Sequence, residues 1–112
     1  PPAKVDYIVI NHGANDSGAS DGEYLQRYEE LLDDVRTVHS QARVLVLPSF
    51  WGFHAAVLPD FVARYNASRG ARVGFLPTDV WFGNFPEHPV RAEVREIAAR
   101  LAGALRVLWG LL

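Results

Sequence analysis

One stretch narrows the folds open to this chain more than any other: Val5-Asp6-Tyr7-Ile8-Val9-Ile10-Asn11-His12-Gly13-Ala14-Asn15-Asp16. An apolar, β-branched run stops abruptly at a polar turn that contains glycine. A strand buried on both faces of a parallel sheet reads this way where it empties into a loop at its carboxyl end. In open parallel α/β sheets ligands gather at such ends. Gly13 can take a backbone shape, or allow a close approach, that a side chain would forbid. Asn15 offers an amide N–H that can donate to a developing oxyanion without adding a negative charge of its own.

The rest of the chain repeats a strand–loop–helix unit. Ser20, with Glu23 three residues on, predicts a capping box that opens a helix. Tyr24, Tyr28, Leu31, Leu32, Val35 and Val38 then recur at helical spacing to about Ser40. The opposite face, with Arg27, Glu30, Asp33 and Asp34, reads as solvated surface. Arg43 to Leu47 is a second apolar strand, stopped by Pro48, and an aromatic loop follows (Phe50, Trp51, Phe53, beside His54). Pro59 suits the first turn of a second helix, Phe61, Val62 and Tyr65 its apolar face, and Gly70 its end. Asn66 reads as surface or as a local hydrogen bond.

Val73 to Leu76 is a short third strand ended by Pro77, and Thr78 to His88 a second aromatic loop (Trp81, Phe82, Phe85). Pro89 begins a last helix whose inward face is Val90, Val94, Ile97, Ala98, Leu101, Leu105 and Leu108. The order β-α-β-α-β-α predicts a parallel sheet with helices over its faces, an α/β fold across residues 1–112 as a single domain.

If the strands lie in sequence order, the most apolar one is at an edge, where an unblunted strand invites aggregation. Something is therefore expected to pair with strand 5–11: a missing amino-terminal segment, a second chain or a symmetry mate. The absence of methionine, and the start Pro1-Pro2 just ahead of that strand, fit the carboxyl-terminal part of something longer.

Composition removes several classes. A net charge of −2 with no basic run gives no electrostatic reason for nucleic-acid binding. With no cysteine there is neither a disulfide nor a thiolate metal site. His12 and His54 are single histidines without partners at ligand spacing, so no metal or other cofactor is expected. No segment approaches the length of a membrane span. A phosphate-binding loop is a poor fit to Asn11–Asp16, which has one glycine and an acidic end.

Two motifs fall on the same rim of the sheet: Gly13-Ala14-Asn15-Asp16 after the first strand, and His88-Pro89 before the last helix. Here the sequence resembles the SGNH hydrolases, or GDSL-type esterases. Their third block is Gly-x-Asn-Asp at the end of a buried strand, and their fifth puts the catalytic histidine before a proline that opens the last helix. The matching positions are Gly13, Asn15, Asp16, His88 and Pro89, and the resemblance covers essentially the whole chain.

It implies a three-layer α/β/α, flavodoxin-like fold with a five-stranded parallel sheet, of which this chain carries the last three β-α units. It also implies ester hydrolysis through a serine, with His88 as general base and with Asn15 and Gly13 at the oxyanion. The family's nucleophile sits in an amino-terminal Gly-Asp-Ser block that this chain lacks. Ser17, Ser20, Ser40, Ser49 and Ser68 do not stand in a nucleophile context.

One position departs from the family pattern. Where the family has an aspartate three residues before its histidine, Phe85 stands here. Asp79, Asn84, Glu87 or a backbone carbonyl would have to orient the ring, with Asp79 the better carboxylate on topology. Asp16 reads as a loop-holding residue. Six of the thirteen aromatics lie in the two rim loops. Trp51, Phe53, Trp81 and Phe82 therefore suggest a substrate pocket or sugar platform as much as a hydrophobic lid. The substrate is expected to be a small-molecule, lipid or acetylated-sugar ester. The alternative is a non-catalytic carbohydrate-binding or interaction module built on the esterase fold.

Overall fold

A computed structural model of the chain describes residues 4–12, 18–49, 52–80 and 91–110. Their order is β1 (Tyr7–Asn11), α1 (Asp21–Val38), β2 (Arg43–Leu47), a 3₁₀ turn (Ala55–Val57), α2 (Leu58–Arg69), β3 (Gly74–Phe75), a second 3₁₀ turn (Thr78–Val80) and α3 (Arg91–Leu108). The three strands form a parallel sheet in the order β1-β2-β3. Ile8 pairs with Val44 and Ile10 with Val46, while Leu45 pairs with Gly74.

Local chemistry sets most of the boundaries. Ser20 caps α1, its hydroxyl accepting the Glu23 N–H at 3.1 Å. Asp21 and Glu23 place negative charge in the first turn, where the helix dipole favours it. Pro59 lies in the first turn of α2, and Gly70 closes that helix in the left-handed conformation at φ 61°. Asn66 bridges α2 to the chain entering β3. Its side-chain amide donates to the Val73 carbonyl at 2.9 Å and accepts the Val73 N–H at 2.8 Å. The third strand is shorter than Val73–Leu76, although the Leu76 N–H still reaches the Val46 carbonyl at 3.1 Å.

Strand alternation divides the core between the two faces of the sheet. Val44 and Val46, with Ile8 and Ile10, join Tyr24, Tyr28, Leu32, Leu58, Phe61, Val62 and Tyr65 in one cluster beneath α1 and α2. Leu45 and Leu47 are equally buried on the other face. There Leu108 of α3 comes close enough to touch a Cβ built on Gly74.

Three sequence expectations need correction. The most buried strand is β2, not β1. Tyr7 and Val9 are 42% and 40% exposed, because β1 pairs only with β2 among the described residues and buries only its α1-facing side. Trp109 partly shields that outer face by stacking on Tyr7, ring centroids 4.7 Å apart. The expected inward face of α3 is covered mainly at Ile97, with Leu101 and Leu105 half-buried, while Val94, Ala98 and Leu108 stay exposed. Val90 lies outside the described residues.

The third correction concerns Asp33, which is no idle surface carboxylate. It accepts from Arg69 through two nitrogens at 2.7 and 3.0 Å and from the Tyr65 hydroxyl at 2.7 Å. Glu29 is also paired with Arg69, whose guanidinium lies 4.4 Å from the centroid of the Tyr65 ring.

The hydrogen bond from Arg69, then that from Tyr65, hold the Asp33 carboxyl below its ordinary range. A carboxylate with a depressed folded pKa adds stability above its unfolded pKa, near 4 for an aspartate, and that stability is lost as pH falls through the folded value. Asp33→Asn is therefore expected to lower Tm by a few degrees at pH 7. The gap to wild type should close as the pH drops below about 4. A thermal melt series from pH 7 to pH 2.5 checks this. The side chain is almost half exposed, so solvent screening keeps the effect modest.

Tyr28 is fully buried, and its hydroxyl has no hydrogen-bond partner among the described residues. Burial, with Tyr24 alongside, raises its pKa so far that the phenol stays neutral. An unpaired buried hydroxyl is a standing cost, so Tyr28→Phe is expected to stabilise the fold by about 1 kcal/mol in urea denaturation. A clear destabilisation would reveal a partner for that oxygen.

Candidate functional site

Because the strands are parallel, their carboxyl ends share one rim with the amino end of α1. The rim carries His12 after β1, Ser49 and Gly52 to His54 after β2, Thr78 and Asp79 after β3, and Asp21 and Tyr24 on α1. Contacts far apart in sequence hold His12 and His54 to α1. The Tyr24 hydroxyl donates to the His12 carbonyl at 2.9 Å, fixing the backbone just past the end of β1. The Tyr24 ring stacks with two imidazoles. His12 lies 5.7 Å away at 8° and His54 4.3 Å away at 13°, with Tyr28 edge-on to both Tyr24 and His12.

The turn after β2 is built by its own first residue. The Ser49 carbonyl accepts the Gly52 N–H at 2.8 Å, and its buried hydroxyl accepts the Phe53 N–H at 3.2 Å. Gly52 at φ 86° and His54 at φ 60° are both left-handed, and for histidine that backbone is uncommon. The His54 side chain is only 8% exposed, and its Nδ1–H donates to Asp21 Oδ1 at 2.6 Å. Facing a carboxylate acceptor, Nδ1 must carry the proton.

Of the sequence-derived site residues, the structure describes two. Asp79 lies in the 3₁₀ turn after β3, beside the β2 loop: a Cβ on Gly52 would sit 4.0 Å from its Oδ2. Phe53 is half-buried in the Ser49 turn. Gly13, Asn15, His88, Trp51, Trp81 and Phe82 lie outside the described residues, as do Asp16, Asn84, Phe85, Glu87 and Pro89. Next to Asp79, the buried Thr78 hydroxyl has no partner among the described residues.

What sequence reasoning missed is His54. Its carboxylate is 33 positions away, and no local motif announces it. The available signal was topological. A helix that opens on Asp21 and a loop that leaves a neighbouring parallel strand must share a rim.

A groove of about 470 Å³ between α1 and α2, lined among others by Leu25, Glu29, Phe61, Arg64 and Arg69, lies along the helices. Neither Asp79 nor Phe53 borders it, and its arginines are paired with Asp60, Glu29 and Asp33. Among the described residues no three His, Cys, Asp or Glu side chains gather as a metal site would require. No described helix is long and apolar enough to cross a membrane.

No protein-family model and no curated protein matches the chain. A solved structure does: a family two carbohydrate esterase from Clostridium thermocellum in complex with cellohexaose, at 23% identity with a TM-score of 0.70. The match covers 96% of this chain and 37% of that one, so this chain spans little more than a third of the length of the solved protein. At that identity the likeness is one of fold. Nearly the whole chain, with its parallel strands and covering helices, has the α/β architecture of part of a carbohydrate esterase.

Proposed function

We propose that this chain belongs to a serine-type ester hydrolase of the SGNH kind, acting on carboxylic or O-acetyl esters. Acetylated carbohydrate is the favoured substrate class. The observation that carries the reading is the coincidence of motif and fold. Gly13-x-Asn15-Asp16 follows directly on the carboxyl end of β1, in an α/β frame that matches a carbohydrate esterase over 96% of the chain. Residues 1–112 act in it as one unit, the carboxyl-terminal part of the esterase domain.

The nucleophilic serine comes from outside these residues, in a preceding segment or a second chain that also pairs with the open edge of β1. In the mechanism that serine attacks the ester carbonyl while His88 takes its proton and later returns it to the leaving alcohol. The Asn15 side chain and the Gly13 backbone N–H hold the tetrahedral oxyanion. Water then cleaves the acyl-serine by the same route in reverse. Asp79 is the carboxylate offered to orient His88. Trp51, Phe53, Trp81 and Phe82 form the apolar wall against which the substrate packs. The reaction needs no cofactor.

Phe85, in the place of the usual aspartate, favours a second reading in which the rim binds carbohydrate without cleaving it. Labelling of the complete protein by a serine-directed fluorophosphonate probe separates the two. A hydrolase is labelled and turns over aryl acetates, and His88→Ala abolishes turnover. A binding module stays unlabelled and inert, which would overturn the proposal.

A further inference from the structure

We infer that Asp21, Tyr24 and His54 form a positioning clamp that ties the chain leaving β1 at His12 to the chain entering the first 3₁₀ turn at His54. In doing so it positions the backbone that leads into the proposed oxyanion residues. The second clause rests on the esterase reading; the clamp itself rests on geometry alone.

Asp21 and Tyr24 are three residues apart on α1 and so share a face of the helix. Tyr24 grips the β1 loop by donating its hydroxyl proton to the His12 carbonyl at 2.9 Å. The same ring receives the His54 imidazole at 4.3 Å on its face, and Asp21 fastens that imidazole through Nδ1 at 2.6 Å. One turn of helix thus contacts both the His12 backbone at the end of β1 and the His54 ring in the chain after β2.

The backbone at His54 shows that this contact is enforced. A left-handed φ of 60° is unfavourable for histidine, and such a conformation persists only where the surroundings over-determine it. Residues held in this way cluster at functional sites. Glycine would relax the backbone but would give up both the stack and the hydrogen bond to Asp21. Asn15 follows the clamped His12 carbonyl by three residues, and Trp51 precedes His54 by three. On the esterase reading the clamp therefore acts on the backbone beside these residues, as a positioning device and not as a group that touches substrate.

The test uses the complete protein and two variants chosen to keep the fold. Tyr24→Phe retains the ring stack but loses the bond to His12. His54→Asn tolerates the left-handed backbone but loses the stack and the reach to Asp21. Each is expected to shift the backbone amide resonances of Gly13 and Asn15 while helix content is unchanged. Each should also lower kcat for an aryl acetate by about ten- to a hundredfold, with KM nearly constant. Asp21→Asn, which still accepts the Nδ1 proton, should retain most of the activity.

Unmoved Gly13 and Asn15 resonances in both Tyr24→Phe and His54→Asn would overturn the clamp. Shifted resonances in a protein whose wild type never hydrolyses an ester would uphold the clamp and sink the esterase reading instead.

Discussion

In the complete protein, Asn15→Ala is expected to lower ester turnover by about a hundred- to a thousandfold while leaving KM close to wild type. The split follows from when the charge develops. The ground-state carbonyl asks little of a hydrogen-bond donor, whereas the tetrahedral intermediate carries a full negative charge on that oxygen. A donor aimed at the oxyanion therefore stabilises the transition state far more than the bound substrate, and its loss falls on kcat. Asn15→Asp sharpens the test. It keeps the shape of the side chain, removes the donor and adds a charge of the wrong sign, so its turnover should fall at least as far. Steady-state kinetics on an aryl acetate decide the matter. Rates within about threefold of wild type in both variants would remove Asn15 from the mechanism, because a lost oxyanion donor cannot cost so little.

The second large effect lies in the sheet. Leu45, at the centre of β2, is completely buried, and Leu45→Ala is expected to cost about 2–5 kcal/mol in urea denaturation. Its neighbour across the ladder is Gly74, where an added Cβ would lie 3.1 Å from Leu45 Cδ1 and 3.8 Å from Leu108 Cδ2. Gly74→Ala alone presses its new methyl against Leu45 and is expected to cost up to about 1–3 kcal/mol. Together the two changes should cost less than their sum, because the methyl at 74 occupies part of the space that Leu45 vacates. Strict additivity in the four-protein cycle would mean that these side chains do not meet as described.

These two predictions draw on different sources. Asn15 was legible as a candidate because its motif is local: a buried strand, then Gly-x-Asn-Asp. The same holds for the Ser20 cap with Glu23, the Arg43–Leu47 strand, Pro59 in the first turn of α2 and the left-handed Gly70, all found where the sequence puts them. Each depends on residues within one turn or one strand of one another.

The misreadings share a cause. Apolar content made β1 read as a strand buried on both faces, but burial depends on how many neighbours a strand has, and among the described residues β2 has two where β1 has one. Asp33 looked like surface because the cation that engages it sits 36 positions away on another helix. His54 looked solitary for the same reason, with Asp21 33 positions off.

What the sequence determined by itself is the alternation of strand and helix and the parallel α/β class. Periodicity, caps and turn formers act over a few residues and are written in order. Only the tertiary structure decided which strand lies innermost, which carboxylate holds His54, and how Tyr24 ties two loops to a single helix. Contacts of that kind form when segments distant along the chain are packed side by side, and no local pattern encodes the partner.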